Sequence, residues 1–144
     1  MRQNLKAYKQ VNVNSTILDA NPHQLVLMMF DGMLQGVAVA KGAIERKDYL
    51  LKSESLTKAT NILQALRQSL DFDVEPEVSN NFDVTYEYCI QRIADASVLL
   101  DCTILDEVVS LIKPIRDAWF DMPEQQKQEG LEAVAKKREA LQGV

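Results

Sequence analysis

The chain has 144 residues, of which 47% are hydrophobic and 26% are charged, and its formal net charge at pH 7 is −5. This composition fits one globular domain with a substantial core. The longest apolar run, Leu25 to Phe30, is far shorter than the ~20 residues that span a membrane. The first ten residues also lack the apolar segment of a signal peptide, so we expect no direct membrane insertion.

The acidic charge is concentrated in one part of the chain. Residues 71–107 contain ten acidic residues against one basic residue, Arg92, whereas residues 1–70 contain nine basic and five acidic residues. Because no basic face is evident, we expect no nucleic-acid partner. The acidic surface could steer a basic partner, but a solvated face that keeps the protein in solution is the favoured interpretation.

The two cysteines, Cys89 and Cys102, are 13 residues apart in what the pattern predicts to be one helix. At about 1.5 Å per residue this is roughly 20 Å, which is too long for a disulfide. We therefore expect reduced thiols and a cytoplasmic protein.

Residues 1–20 are predicted to form an N-terminal arm. They include six large apolar residues whose exposure to water would be unfavourable: Leu5, Tyr8, Val11, Val13, Ile17 and Leu18. Fastening Leu5, Tyr8 and Val11 into a groove would contribute on the order of 5 kcal/mol before ordering entropy is subtracted. The net binding free energy of the arm would be small, so a partner could displace it. An arm that is packed permanently on the bundle is an equally favoured alternative.

The first predicted helix covers residues 21–44. Asn21 is a good N-cap, Pro22 suits the first helical position, and Gln24 completes a capping box. Apolar residues then recur at steps of three and four and form one buried stripe. The stripe comprises Val26, Phe30, Met33, Val37, Ala40 and Ile44.

The outer face of this first helix is also unusually free of charge. Asp31 is the single charged residue between Pro22 and Ala40. Four residues point away from the stripe: Met28, Gly32, Gln35 and Val39. A helix that is apolar nearly all round is buried nearly all round, so the arm, a second copy or a bound peptide is expected to cover this face.

Glycine and methionine are frequent in the same helix. Gly32 and Gly36 have a spacing of four, which would let another backbone approach closely, most simply within the bundle. Met28, Met29 and Met33 are adaptable side chains of the kind found on surfaces that accept irregular apolar ligands. They are also ordinary core residues, and that is the default interpretation.

Three further helices are predicted, over about residues 48–71, 80–102 and 103–122. The second carries the stripe Leu56, Ala59, Leu63, Leu66 and Leu70, and the acidic link with Pro76 ends it. The third carries the stripe Phe82, Tyr86, Cys89, Ile93, Ala96 and Leu100. The fourth buries Leu105, Val108, Ile112, Ile115 and Trp119.

The fourth helix has marked ends. Thr103 is predicted to cap it with Asp106 in the capping-box position, Pro114 is expected to kink it, and Pro123 to close it. Together the stripes predict an all-α, antiparallel four-helix bundle, a single domain over residues 1–144. It comprises the arm 1–20, the bundle 21–122 and a polar tail 123–144 with a marginal C-terminal helix.

The sequence offers little for catalysis. The single histidine, His23, lies in a first helical turn with no flanking acid or cysteine, and one histidine cannot supply a di-iron site. No phosphate-binding, nucleophile-elbow or paired-cysteine motif occurs. We therefore expect that the protein is not an enzyme and binds no metal or cofactor.

The order and spacing of several segments resemble those of the flagellar secretion chaperone family FliS. They are AYKQV (7–11), NPHQLVLMMFDGML (21–34), LTKATNILQALRQSLDF (56–72), NFDVTYEY (81–88) and AW (118–119). The resemblance covers about residues 5–119. Two residues depart from the family pattern, Thr85 in place of a leucine and Pro114 within a helix.

The resemblance implies a cytoplasmic, non-enzymatic export chaperone whose client is the C-terminal segment of flagellin. It further implies contact with the export gate and, in some relatives, with an anti-sigma factor. The family's N-terminal tyrosine corresponds to Tyr8, so the arm (Leu5, Tyr8, Val11) is expected to guard a groove that the client also uses. We assign Leu27, Met28, Gly32, Gln35 and Val39 to this groove. The alternative is a regulatory bundle that sequesters a small regulator, or a structural bundle without a client.

Overall fold

The computed structural model describes residues 21–70, 73 and 75–122, and the arm and tail lie outside the described residues. The described part consists of helices and no strand: α1 (Pro22–Glu45), α2 (Tyr49–Gln68), α3 (Pro76–Leu99) and α4 (Cys102–Phe120). The predicted all-α four-helix bundle is therefore confirmed. The chain divides into two compact units, residues 28–120 and residues 1–27 with 121–144. Every contact between helices described below lies within residues 28–120.

The ends of α2 and α3 show that these helices run in opposite directions. Lys52, near the start of α2, donates a hydrogen bond of 3.0 Å to the carbonyl of Ser97, near the end of α3. Arg67, near the end of α2, pairs at 2.8 Å with Asp83, near the start of α3. The two helices are therefore antiparallel along their whole length.

Two ion pairs show that α1 and α4 also run in opposite directions. Lys41, in the last turn but one of α1, pairs with Asp106 in the first turns of α4. Asp31, in the first half of α1, accepts a hydrogen bond of 2.8 Å from Nε of Arg116 in the last turns of α4. Gly32 and Gly36 of α1 lie beside Ile62 and Ser55 of α2, so α1 and α2 are antiparallel as well and the four helices alternate in direction.

The core is built from the predicted stripes. Phe30 of α1 packs near Tyr86 of α3, with 6.5 Å between the ring centroids. The buried stripe residues are Phe30, Met33, Val37, Ala40, Leu56, Ala59, Leu63, Leu66, Tyr86, Cys89, Ile93, Ala96, Leu105, Val108 and Ile112. The half-buried ones are Val26, Ile44, Leu70, Phe82, Ile115 and Trp119. Helical spacing alone therefore identified the core face of all four helices.

The start of α1 confirms the predicted capping box. Oδ1 of Asn21 accepts a hydrogen bond of 2.8 Å from the backbone N–H of Gln24. Oε1 of Gln24 accepts a reciprocal bond of 3.4 Å from the backbone N–H of Asn21. These bonds satisfy two backbone donors that a helix start otherwise leaves without partners.

The boundaries of α3 differ from those predicted. Pro76 is the first residue of α3 rather than part of the link that breaks α2, because proline lacks only a donor that the first turn does not use. At the other end α3 stops at Leu99, and Leu100 adopts the left-handed conformation (φ 54°, ψ 40°). Leu100 is consequently exposed instead of continuing the buried stripe.

The N-cap of α4 also differs from the one predicted. The capping side chain is Asp101, which accepts hydrogen bonds from the backbone N–H (2.9 Å) and the hydroxyl (2.6 Å) of Thr103. Thr103 is therefore a donor in the cap, and Asp106 pairs with Lys41 instead of completing a capping box. The helix continues through Pro114 to Phe120, and the expected kink stays a prediction.

The two cysteines lie in different helices, which corrects their assignment to one helix. Cys89 is buried within α3, whereas Cys102 is the first residue of α4, and both thiols are free. The Sγ–H of Cys102 donates to the carbonyl of Lys41 at 3.8 Å.

Burial of Cys89 predicts a loss of stability in alkaline solution. Removal from water raises the pKa of this thiol to about 11, and burial likewise raises the pKa of Tyr86 to about 12. Because the pKa of Cys89 is higher in the folded than in the unfolded chain, its contribution is complete below the unfolded value of 9.0 and is lost as the pH rises through about 11.

Urea unfolding followed from about pH 8 to pH 11 should therefore show a falling midpoint. The Cys89→Ala variant starts from a lower stability, but its midpoint should fall less over the same range. Equal slopes for the two proteins would show that the thiol remains neutral in both states or is not buried.

The close approach of α1 and α2 is set at Gly36. A Cβ placed on Gly36 would lie 3.0 Å from the carbonyl oxygen of Ser55 and 3.6 Å from Cβ of Ala59. A Cβ placed on Gly32 would meet only the flexible end of Ile62, at 3.4 Å. Of the two glycines, Gly36 is thus the one that the packing requires.

This difference predicts opposite effects of one substitution. Gly32→Ala should raise the free energy of unfolding by up to about 1 kcal/mol, since alanine favours the helix. Gly36→Ala gains the same preference but must displace the backbone of α2, so a net loss on the order of 1 kcal/mol is expected. Urea denaturation followed by circular dichroism measures both. A stabilised Gly36→Ala variant would contradict the tight packing of these helices.

Candidate functional site

A shallow groove of about 680 Å³ runs along α1 and α2. One lining residue, Met29, comes from α1, and the other seven come from most of the length of α2: Ser53, Glu54, Thr57, Lys58, Asn61, Ile62 and Ala65. The side chains of α2 recur at steps of three and four, so they form one face of that helix. We call this feature the α1–α2 groove.

The groove is apolar at one end and polar at the other. Met29, Ile62 and Ala65 meet where α1 begins and α2 ends, since the two helices are antiparallel. Toward the start of α2 the lining becomes polar and includes Glu54 and Lys58, one helical turn apart. An amphipathic helix placed here could bury apolar side chains at one end and form hydrogen bonds at the other.

The groove residues assigned from the sequence lie along α1 but not all in this groove. Gly32 is half-buried beside Ile62, a groove residue, and Leu27 is half-buried. Met28 and Val39 retain 37% and 38% of their exposure, and Gln35 is also exposed. The described residues thus leave part of the outer face of α1 exposed, and its covering by the arm, a second copy or a bound peptide stays a prediction.

Met29 and the groove face of α2 are the residues that the sequence analysis did not assign to the site. In the sequence Met29 is one of three adaptable methionines, and Ile62 and Ala65 lie beside the core stripe of α2. The spacing of Gly32 and Gly36 was the available signal, because it marked the side of α1 on which another helix approaches. The arm residues Leu5, Tyr8 and Val11 lie outside the described residues, so their role stays a prediction.

Four acidic residues of this part of the chain join helices: Asp83, Glu87, Asp106 and Glu107. Arg67 of α2 pairs with Asp83 at 2.8 Å and lies 3.9 Å from Glu87. Arg92 of α3 binds Glu107 of α4 at 3.0 Å and also Asp95 of its own helix at 3.0 Å. These contacts leave less charge available to attract a basic partner.

Hydrogen bonds at the contact between α3 and α4 lower the pKa of Glu107. Oε1 of Glu107 accepts a bond of 2.8 Å from the hydroxyl of Tyr88 and one of 3.0 Å from Arg92. These two donors lower the pKa of Glu107 from its ordinary value. Both partners are more than a quarter exposed, so the pair orients α4 against α3 rather than supplying a reactive group.

The described residues include no group of three or more His, Cys, Asp or Glu side chains that could hold a metal ion. By length and composition alone α1 is apolar enough to cross a membrane. Its stripe is nevertheless occupied by the core of the bundle, where Met33 and Val37 are completely buried. The described part thus presents a surface groove with one apolar end and no evident catalytic constellation.

Comparison with known proteins gives a match along most of the chain. The family model described as flagellar protein FliS matches residues 3–126. The flagellar secretion chaperone FliS of Salmonella typhimurium is 37% identical over 116 residues, which cover 80% of this chain and 86% of that protein.

Two further relatives have similar coverage. The flagellar secretion chaperone FliSB of Pseudomonas aeruginosa is 36% identical over 115 residues, covering 80% of this chain and 91% of that protein. The FliS protein of Bacillus subtilis is 36% identical over 113 residues, covering 78% and 80% respectively. The similarity includes α1–α4 and extends into the residues on either side of them.

Proposed function

Because this chain belongs to the FliS family of flagellar secretion chaperones, we propose that it binds the C-terminal segment of flagellin in the cytoplasm. Binding keeps the client from polymerising prematurely and delivers it to the flagellar export apparatus through contact with the export gate. The observation that carries the proposal is the α1–α2 groove, with Met29, Ile62 and Ala65 at its apolar end. The role is that of a chaperone and needs no enzymatic step, metal or cofactor.

The client is proposed to become helical as it binds. A segment that is unfolded alone must lose conformational entropy, so a large apolar contact is needed to offset that cost. Each large side chain buried against Met29 or Ile62 contributes roughly 1–3 kcal/mol. Methionine suits this contact because its unbranched chain adapts to side chains of different shape.

The N-terminal arm is proposed to regulate access to this groove. Leu5, Tyr8 and Val11 would occupy part of the site when no client is present, and the client would displace them. Removing the Tyr8 ring (Tyr8→Ala) should then change client affinity as well as stability. A purely structural arm would change stability alone.

Titration calorimetry with a synthetic flagellin C-terminal segment tests the proposal. One peptide should bind per chain, and circular dichroism of the mixture should show more helix than the sum of the separate components. Absence of binding at micromolar peptide would overturn the proposal.

The groove would also accept a short amphipathic helix from a regulator. The alternative function, sequestration of an anti-sigma factor, is distinguished by titrating each ligand alone and then both in competition. The chaperone proposal requires flagellin to bind without the regulator, whereas a regulatory module would bind only the regulator.

A further inference from the structure

The α1–α2 groove contains a positive charge that the bundle does not use. Lys58 is the basic side chain among the described residues that line the groove, and it is exposed. No ion pair or hydrogen bond joins Lys58 to any described residue, whereas Lys41, Arg67 and Arg116 each pair with an acid of a neighbouring helix. The ammonium group of Lys58 is therefore available to a ligand in the groove.

Two further hydrogen-bond donors adjoin Lys58. Asn61 lies three residues further along the same face of α2, and Thr57 precedes Lys58 in the groove lining. Neither side chain forms a hydrogen bond with the rest of the described chain. Ammonium, amide and hydroxyl groups all donate, and an ionised carboxylate only accepts, so these side chains fit a carboxylate ligand.

The position for such a carboxylate is limited on both sides. Ile62 and Ala65 follow Lys58 toward the apolar end of the groove, where a carboxylate would lose hydration without gaining a charged partner. Glu54 lies one helical turn before Lys58 and would repel a carboxylate that extended further in that direction. Lys58 is thus the one place along this lining that favours a negative charge.

We propose that Lys58 binds the terminal α-carboxylate of the client and thereby sets the direction and register of the client helix in the groove. The assignment rests on the proposed function, because it requires a client that ends within the groove. Capture of a terminal carboxylate is a recurring mode of peptide recognition. Here the carboxylate contact would supply direction, while the apolar end of the groove would supply most of the affinity.

The position of Lys58 determines which way the client runs. Lys58 precedes Ala65 by seven residues of α2, or about 10 Å at 1.5 Å per residue. A client whose carboxylate lies at Lys58 therefore places its last two helical turns over Ile62, Ala65 and Met29, and it runs antiparallel to α2. In the opposite direction the carboxylate would pass Ala65, beyond which Arg67 is already paired with Asp83.

The charge at a helix end makes the contact measurable. The C-terminal end of a helix carries a partial negative charge, so a free carboxylate there destabilises the helix unless a cation lies close to it. Replacing the carboxylate by an amide should, by itself, favour the helical client slightly. Lys58 should reverse this preference, because it attracts the carboxylate and not the amide.

Titration calorimetry of the full chain at low salt tests the proposal with two synthetic flagellin C-terminal segments. The segments are identical except that one ends in a free carboxylate and the other in an amide. The unmodified chain should bind the free acid about five-fold more tightly. The Lys58→Gln variant should bind the amide at least as tightly as the acid. Lys113→Gln, the same change at an exposed lysine of α4 outside the groove, is the matched control and should keep the five-fold preference.

A third segment tests the register. Two glycines added after the natural C-terminus move the carboxylate past Lys58 toward Glu54, so this segment should bind about as weakly as the amide. Undiminished affinity of the extended segment would overturn the proposal. So would equal affinities of the acid and the amide for the unmodified chain, or a five-fold preference that survives Lys58→Gln. Each of these results would leave the proposed function standing, whereas absence of binding by every segment would overturn the proposed function together with this assignment.

Discussion

Ala65→Glu is expected to weaken binding of the flagellin C-terminal segment by about 100-fold, which corresponds to about 2.7 kcal/mol. Ala65 lines the apolar end of the α1–α2 groove and is exposed in the free chain. Glutamate there would fill the space for a client side chain and lose its hydration when the client binds. Glutamate also favours a helix, so the fold itself should be unaffected.

The matched control is Ala94→Glu. Ala94 is likewise an exposed alanine within a helix, but it lies on α3 and does not line the groove. Titration calorimetry should give the control the affinity of the unmodified chain, and thermal unfolding should show both variants folded. Equal affinity of the two variants would place the client somewhere other than this groove.

Phe30→Ala is expected to produce the largest loss of stability, about 3–5 kcal/mol in the free energy of unfolding. Only 2% of Phe30 is exposed, and its ring contacts that of Tyr86 in the core. The substitution removes much of the apolar contact that holds α1 to α3 and leaves a cavity that the neighbouring helices fill only in part. Urea denaturation of the two proteins measures the difference.

Phe120→Ala serves as the control for Phe30→Ala. Phe120 is 53% exposed at the end of α4, where its ring centroid lies 4.9 Å from the guanidinium of Arg116. Loss of this exposed contact should cost no more than about 1 kcal/mol. Similar losses for both variants would contradict the assignment of α1 to the core.

The sequence predicted the faces of the helices better than their ends. Spacing of three and four placed Met33, Leu63 and Ile93 in the core, because a helix that buries one side must repeat its apolar residues at that period. The end of α3 at Leu99 could not be predicted, since Leu100 adopts a backbone conformation that leucine rarely takes. The N-cap of α4 was predicted at Thr103 instead of Asp101, because both are good capping residues and the sequence does not distinguish them.

The candidate site was predicted only in part for a different reason. The spacing of apolar residues shows which face of α1 is buried. It does not show which neighbouring helix contacts the other faces of α1. The groove exists because Gly36 lets α2 approach α1, which places Ile62 beside Gly32 and Met29 at the rim. This is a property of the pair of helices, so an analysis of α1 alone identified Met28 and missed Met29.

NMR of methionine methyl groups tests the proposed client site most directly. Met29 lines the α1–α2 groove, whereas Met33, one turn along the same helix, is completely buried and provides an internal reference. Addition of the flagellin C-terminal segment to the full chain should shift the Met29 methyl signal strongly and leave that of Met33 nearly unchanged. An unshifted Met29 signal in a saturated complex would contradict the proposed role of the groove.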